Sequence, residues 1–593
     1  MNTFELDVLN MLLTAPYDSQ RRLAQESGLS LGAVNKAVQN LRKSGMLDDC
    51  MRPTQNARSL WMESRTRCAV ILAAGFGMRM VPIHTEVSKG MLEIRGEKLI
   101  ERLIRQLQEI GIRDITVVCG FMKEAYEYLI DAFGVKIAVS SDYAQTNNLY
   151  SLAKAFSRGK KENLYILPCD LWFEINPFRE YELYSWYMMA PEQDAESVFR
   201  VNRKREIVRI RAEETGDRMI GVCYLTKEDA DQLYEKVVRV TSAKEMKEDF
   251  WEELLTGTKK MTVPARVYRE GRVIEINTYE QLRNEDSDSM HLHSDALETI
   301  AKALDTDVSR IREIEILKKG MTNRSFRFSV DGQRYIMRIP GEGTDQLINR
   351  QQEADVFRTI RGLGLCDDPV YINPENGYKI TKFLPDVRVC DPFSREDLEK
   401  CMRKLVQFHE MRLKVSHPFD IFGQIAFYES LWEGNSSVYP DYEETKRNVY
   451  SLKPFVEKKA GEKCLTHIDA VPDNFLFYTD ENGKEQLQLT DWEYAGMQDP
   501  HVDIAMFCIY SLYEKQEADD LIDLYFSCCG EGKCNAETRA KIYCYIAMCG
   551  LLWSNWCEYK RLFGVEFGEY SLRQYRYAKD FYRFAVQQMK ETE

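Results

Sequence analysis

Apolar residues follow three different rhythms along this chain, and each predicts a different kind of domain. Near the start, Phe4, Leu6, Val8, Leu9, Leu12 and Leu13 recur at helical spacing until Pro16. Ser19 is placed to cap a second helix carrying Leu23 and Ala24, Gly28 breaks it, and Ser30 caps a third with Val34, Val38 and Leu41 inward. Helix, glycine turn, helix is the helix-turn-helix pattern. From 69 to 73 the rhythm becomes that of a buried strand. An amphipathic helix (99–110), a strand (115–119), a helix (123–133) and a strand (136–140) follow. This alternation predicts a doubly wound, mostly parallel sheet, with ligands gathering at the carboxyl ends of its strands. A polar, acid-rich stretch at 283–294 reads as a linker. Beyond it, 314–317, 325–330 and 335–339 alternate as antiparallel strands, and the last third is helical and rich in aromatic residues. The domains predicted are 1–65, 66–285 and 296–593, a multidomain chain of α/β and α+β class.

Composition narrows the function. A length of 593 residues exceeds what one core holds. A net charge of -14 argues against wholesale coating of nucleic acid or an anionic membrane surface, while leaving room for one local basic face. The 16 cysteines are scattered, and the cluster Cys528, Cys529, Cys534 has no histidine beside it, so free thiols are expected rather than a zinc site. His291 and His293 are too isolated to call a metal site. No signal peptide and no apolar run of membrane-spanning length is read, which fits a reducing cytoplasm.

The strand at 69–73 leads into Gly75 and Gly77, where the backbone lacks Cβ atoms and can approach a ligand. Arg79 and Lys89 follow. Backbone N–H groups of a glycine loop with two cations nearby suit a nucleoside triphosphate. The string VILAAGFGMRM…SKGML resembles the sugar-phosphate and phosphocholine nucleotidyltransferases, whose signature is L-A-A-G-x-G-x-R-[LM] followed by P-K. The resemblance implies a Rossmann-like nucleotidyltransferase sheet, nucleotide contacts from Leu72, Ala73, Ala74, Gly75 and Gly77, and catalytic charge from Arg79 and Lys89. Asn147-Asn148-Leu149-Tyr150-Ser151-Leu152 resembles the N-N-x-Y-S-L of bacterial CTP:phosphocholine cytidylyltransferases, which makes Asn148 and Ser151 candidates for reading cytosine; helix capping is the plain alternative. Asp170, just past an apolar strand at 164–167, stands where the family holds Mg²⁺. Phe250 and Trp251, followed by two acids, stand where the family surrounds a quaternary amine. Two departures occur: Ser88 replaces the usual proline before Lys89, and Asn277 replaces a second aspartate at the metal, which lowers the expected metal affinity.

In the C-terminal part, Lys319 to Arg324 forms a turn suited to covering phosphates, Arg338 ends a strand, and Glu353 follows on a helix. Kinases pair a basic strand residue with a helix glutamate in this way. The run GMTNRSF…YIMRIPGEGTDQLINRQQE resembles the choline and ethanolamine kinases, and implies nucleotide contacts from Gly320, Thr322, Asn323, Arg338 and Glu353. Farther on, His467-x-Asp469 with Asn474, then Asp491-Trp492-Glu493, has the H-x-D-x-x-x-x-N…D-[FW]-E spacing. Phosphoryl transfer needs an acid for the alcohol proton and oxygen ligands for Mg²⁺. By the resemblance Asp469 is the base, Asn474 and Asp491 hold metal, His467 is a brace, and Asp503 fixes the catalytic loop. Many relatives have Glu near Tyr510; this chain has an aromatic there. Trp553 and Trp556 lie three apart on one helix face, so with Tyr510 they are candidates for binding choline, aromatic core packing being the plain alternative. The fold implied is protein-kinase-like, of the choline kinase/aminoglycoside phosphotransferase kind.

The segment SQRRLAQESGLSLGAVNKAVQNLRKSGML resembles winged helix-turn-helix domains, with a short wing at 51–61; Asn35, Lys36, Gln39 and Lys43 would face DNA, bound through 19–45. A dimerisation or docking module is the alternative, since the N-terminal stretch 1–65 as a whole has almost no net charge. Together the resemblances imply a bifunctional transferase of CDP-choline synthesis: choline kinase with ATP, then phosphocholine cytidylyltransferase with CTP, both with Mg²⁺. The alternatives are a regulator sensing choline or CDP-choline with degraded enzyme domains, and the same two activities on ethanolamine or another amino-alcohol.

Overall fold

The structure, a computed structural model, describes residues 1–593 apart from 84–86, 144–145, 157–161, 196, 203, 212–213, 244–248, 257–262, 270, 318–322, 342–346, 367, 433, 481, 531, 563–566 and 593. The chain divides into two units, Met1–Asp295 and Ala296–Glu593.

The first unit opens with four helices: α1 (Thr3–Thr14), α2 (Gln20–Ser27), α3 (Leu31–Lys43) and α4 (Gln55–Glu63). Ser19 and Ser30 accept the Arg22 and Ala33 N–H groups as N-caps, and Gly28 ends α2 in the left-handed conformation. Val8, Leu9, Leu23, Val34, Val38 and Leu41 form the core of this bundle. The extent of the expected wing at 51–61 is corrected: a tight hairpin closes around the bridge Leu47–Pro53, with the Asp48 and Thr54 N–H groups donating to the Arg52 and Met46 carbonyls, and α4 follows at once. Thr54 caps α4, whose Ala57 is fully buried against the same core, so helix wins over strand.

The bundle is packed against the sheet domain behind it. The Tyr184 hydroxyl donates to Asp7 on α1 at 2.6 Å, and Arg205 approaches the same carboxylate at 3.3 Å while lying over the Phe4 ring. Trp61 stacks on Tyr181 with centroids 4.0 Å apart, and the Asn163 amide donates to the Glu63 carbonyl. Burial at this junction raises the Asp7 carboxyl above its usual range.

The sheet has seven strands in the order Ala265–Val267, Trp186–Asp194, Gly216–Leu225, Leu164–Pro168, Cys68–Ala73, Asp114–Cys119, Lys136–Val139. Cys68–Ala73 lies parallel to both neighbours, and Gly216–Leu225 is antiparallel. From Cys68–Ala73 the chain runs outward to one side through Asp114–Cys119 and Lys136–Val139, then crosses back to Leu164–Pro168 on the other, and this reversal opens a crevice at the carboxyl end of Cys68–Ala73. The helix expected at 123–133 is corrected to a short 3₁₀ turn, Lys123–Tyr126, and a separate helix, Leu129–Phe133; Tyr126 turns into the core there. The linker expected at 283–294 is also corrected. Asp286 accepts the Arg95 N–H at 2.6 Å, Ser289 donates to the Glu93 carbonyl, and Tyr279 donates to the Leu292 carbonyl, so this stretch is part of the first unit.

The second unit begins with a five-stranded antiparallel sheet ordered Arg312–Ile316, Asn323–Val330, Gln333–Pro340, Lys379–Lys382, Tyr371–Ile372. The helix Arg350–Ile360 follows its third strand. A two-stranded sheet then pairs Cys464–Thr466 with Gly496–Gln498, and a three-stranded sheet is ordered Arg388–Val389, Phe475–Thr479, Glu485–Leu489. The rest is helical, dominated by Ala536–Arg561 and Glu569–Thr592. Nineteen residues of Ala536–Arg561 are buried, so this helix is the spine of one large aromatic-rich core.

Candidate active sites

In the first unit the glycine loop leaves Cys68–Ala73 at the crevice. Gly77 has φ 61°, and a Cβ there would lie 2.9 Å from Lys89 Cγ, so only glycine lets the lysine pass. Lys89 Nζ donates to Asp170 Oδ2 at 2.9 Å and to Asn277 Oδ1 at 2.7 Å, and Arg79 reaches the same amide oxygen at 3.3 Å. A pocket of about 260 Å³ is lined by Leu72, Ala73, Gly75, Gly77, Arg79 and Lys89 together with Tyr126, Pro168, Cys169 and Asp170. Ala74 holds the loop, its carbonyl accepting the Phe121 N–H. Ser88, in the place of the expected proline, is buried at φ -77°, an angle proline itself adopts, so the loop keeps its course through packing.

Three expectations for this site change. Asn277, expected to ligate metal, has its amide oxygen taken by Lys89 and Arg79, and its Nδ2 donates to Glu275 Oε1 at 2.6 Å. Glu275 is the carboxylate that sequence reasoning missed; burial and the nearby Asp170 raise its pKa. Asn148 and Ser151, expected to read a base, are engaged inside the protein. The Asn148 amide accepts the Trp251 N–H at 2.9 Å and donates to Glu252, and Ser151 is buried against Ser140. Trp251, expected at a quaternary amine, is 1% exposed with its ring against Tyr187, whereas Phe250 is exposed. The physical reason is that Asn148 and Glu252 pin the start of the 251–255 turn to the core.

In the second unit, Arg338 meets Glu353 through two hydrogen bonds, at 2.5 and 2.8 Å, and also donates to the Gly377 carbonyl. Burial alone would raise Glu353; Arg338, followed by Lys379 and Arg350, holds it down at about 2. Arg350 Nη1 joins Glu353 to Glu493 at 3.0 and 3.3 Å. Gly320, Thr322 and the side chain of Asn323, expected over the phosphates, lie outside the described residues.

The catalytic-loop residues meet. The Asn474 amide donates to the Asp469 carbonyl and to its Oδ2 at 2.8 and 3.0 Å, and the Thr490 N–H donates to the Asn474 carbonyl, which brings Asp491 alongside. Ile468 and Asp491 have φ of 70° and 61°, strained values for such residues. Asp503 offsets that strain by accepting the His467 and Ile468 N–H groups at 3.1 and 2.7 Å. His467 Nε2 lies 2.9 Å from the Thr490 carbonyl, and burial lowers its pKa. Burial, then the charges of Asp491 and Glu493, pushes Asp469 up to about 8. Trp553 and Trp556 are both buried, their rings edge-to-face at 5.3 Å, and Tyr494 packs on Trp553 at 5.7 Å. Tyr494 was missed because it carries no motif of its own; the fold turns it into this wall.

Both sites offer the oxygen donors Mg²⁺ prefers. Asp170 Oδ1 is buried with no hydrogen-bond partner among the described residues, as a metal ligand's oxygen would be. No group of three or more His, Cys, Asp or Glu converges among the described residues, so phosphates and water would complete either shell.

A helix-turn-helix, a nucleotidyltransferase domain and a kinase-like phosphotransferase domain are therefore joined in one chain. Family models agree: winged helix-turn-helix DNA-binding over 1–48, MobA-like NTP transferase domain over 69–182, and choline/ethanolamine kinase over 314–523. The chain is an enzyme with a nucleotidyltransferase domain and a choline/ethanolamine kinase domain.

Individual relatives fall into two sets. The Protein LicA of Haemophilus influenzae is 27% identical over 277 residues, 43% of this chain and 76% of its own. The choline-phosphate cytidylyltransferase of Streptococcus pneumoniae is 26% identical over 220 residues, 36% of this chain and 95% of its own. The crystal structure of the choline kinase LicA from Streptococcus pneumoniae is 27% identical and covers 49% of this chain and 99% of its own, at a TM-score of 0.41. No described helix is long and apolar enough to cross a membrane.

Proposed function

We propose that the chain makes CDP-choline in two steps in the cytoplasm: choline and ATP give phosphocholine and ADP, then phosphocholine and CTP give CDP-choline and pyrophosphate. The observation that carries this reading is the gathering of Asp469, Asn474 and Asp491, linked to the Trp553–Trp556 pair through Tyr494, which packs on Trp553 and feels the charges of Asp469 and Asp491, in a chain that also holds the Lys89–Asp170 site. A ring face attracts a quaternary ammonium.

In the first step the choline oxygen attacks the γ-phosphorus of ATP, its proton passes to Asp469, and ADP leaves. Arg338, fixed by Glu353, steadies the phosphates. In the second, a phosphate oxygen of phosphocholine attacks the α-phosphorus of CTP and pyrophosphate leaves. Arg79, Lys89 and the N–H groups of the glycine loop balance the growing charge. Asp491 with Asn474, and Asp170 with Glu275, are the residues that would hold Mg²⁺, which supplies charge neutralisation when bound.

Phosphorus NMR of the protein with choline, ATP, CTP and Mg²⁺ tests the reading. CDP-choline and pyrophosphate appearing together support it; no phosphorus change with choline or any other amino-alcohol overturns it. A second reading draws on α3, whose Asn35, Lys36, Gln39 and Lys43 are all exposed, as a helix entering a DNA groove requires. Under it the chain also binds DNA through 19–45 and reports choline supply. Sequence-specific, salt-sensitive DNA binding that Lys36→Glu with Lys43→Glu abolishes is the expected result.

A further inference from the structure

A line of aromatic rings extends past the tryptophan pair. From Trp556 it continues to Phe567 at 5.1 Å, Tyr570 at 6.4 Å and Tyr510 at 6.1 Å. The Asp469 charge is felt at the hydroxyls of Tyr494, Tyr510 and Tyr570, so the line passes close to the catalytic carboxylate. At its far end the Tyr510 hydroxyl donates to Asp473 Oδ2 at 2.5 Å. Asp473 is exposed and sits in the turn Pro472–Asn474, four residues beyond Asp469.

The other acids nearby have separate duties. Glu493 faces Arg350 at 3.3 Å and Arg338 at 3.9 Å, and Asp503 holds the loop backbone. Asp469 faces the reacting hydroxyl, and Asp491 the metal, in the reading above. Rings alone attract a cation modestly where water has access, and a carboxylate beside them strengthens the attraction. We propose that Asp473, oriented by Tyr510, is the counter-charge for the cationic end of the alcohol and selects charged amino-alcohols over neutral ones. The proposal rests on the kinase reading. It makes Asp473 a specificity residue and Tyr510 its positioning residue.

The test compares choline with its uncharged carbon isostere 3,3-dimethylbutan-1-ol, following ADP release by the full chain and by Asp473→Asn and Tyr510→Phe. Loss of one partly exposed charge pair is expected to raise KM for choline about tenfold in Asp473→Asn. KM for the isostere and kcat for choline change by less than about threefold, because neither depends on that charge pair. Tyr510→Phe falls between the two enzymes, since the carboxylate stays but loses its orientation. An unchanged ratio of the two KM values in Asp473→Asn overturns the proposal. No turnover of choline by the unaltered chain overturns the kinase reading itself, and the proposal with it.

Discussion

The Arg338 guanidinium meets the Glu353 carboxylate fork to fork, two nitrogens on two oxygens, with both side chains almost fully buried. A planar fork makes this double contact and a lysine ammonium cannot. Arg338→Lys is therefore expected to lower ATP-dependent phosphorylation by about tenfold or more while the protein stays folded. Formation of CDP-choline from added phosphocholine, measured on the same sample, should hold its rate, because the proposed reading assigns that chemistry to the other unit.

The same pair sets an acid limit. Glu353 has its folded pKa held at about 2, below the unfolded value of a glutamate. Its contribution to stability is present above about pH 4.3 and is lost as the pH falls through the folded value. Thermal unfolding followed from pH 6 to pH 2 should show the second unit losing stability, and Glu353→Gln should be less stable than the unaltered chain at pH 6, with the gap narrowing toward pH 2.

Glu252 behaves oppositely. Burial pushes its carboxyl up to about 7. A raised pKa contributes stability below the unfolded value that is lost as the pH rises through about 7. A shift of this size corresponds to roughly 3 kcal/mol. Glu252→Gln keeps the shape and removes the charge, so its unfolding temperature should exceed that of the unaltered chain at pH 8 and match it at pH 4, by calorimetry.

In the nucleotidyltransferase site, Lys89→Ala removes the ammonium that bridges Asp170 and Asn277. Loss of one preorganised charge on the transferring group is expected to cost roughly 100-fold in cytidylyl transfer, read as pyrophosphate release, with choline phosphorylation unaffected. Asn277→Asp tests the missing carboxylate. A second negative oxygen should lower the Mg²⁺ concentration needed for half-maximal transfer, and an unchanged Mg²⁺ dependence would show that Glu275 already meets the need.

Local pattern was enough for most elements and for the meeting of Asp469 with Asn474 and of Lys89 with Asp170. The serine caps and Gly28 mark α2 and α3, and the strands before Gly75, Asp170, Asp469 and Asp491 were legible because motif and apolar run coincide. The 123–133 helix and the extent of the 51–61 wing were misread because burial of Tyr126 and Ala57, which lies outside any short window, decided those backbones.

By itself, then, the sequence determined which residues carry charge, which turns admit glycine, and which spacings place Asp469, Asn474 and Asp491 within reach of one another. Tertiary structure decided what each side chain is left free to do. It put Trp251 in the core with Asn148 bonded to its backbone, turned Asn277 toward Lys89 and Arg79, brought Glu275 beside Asp170, and set Tyr494 against Trp553. The reason is physical: chemistry and chain stiffness are local, whereas burial and hydrogen-bond partnership are properties of the packed chain.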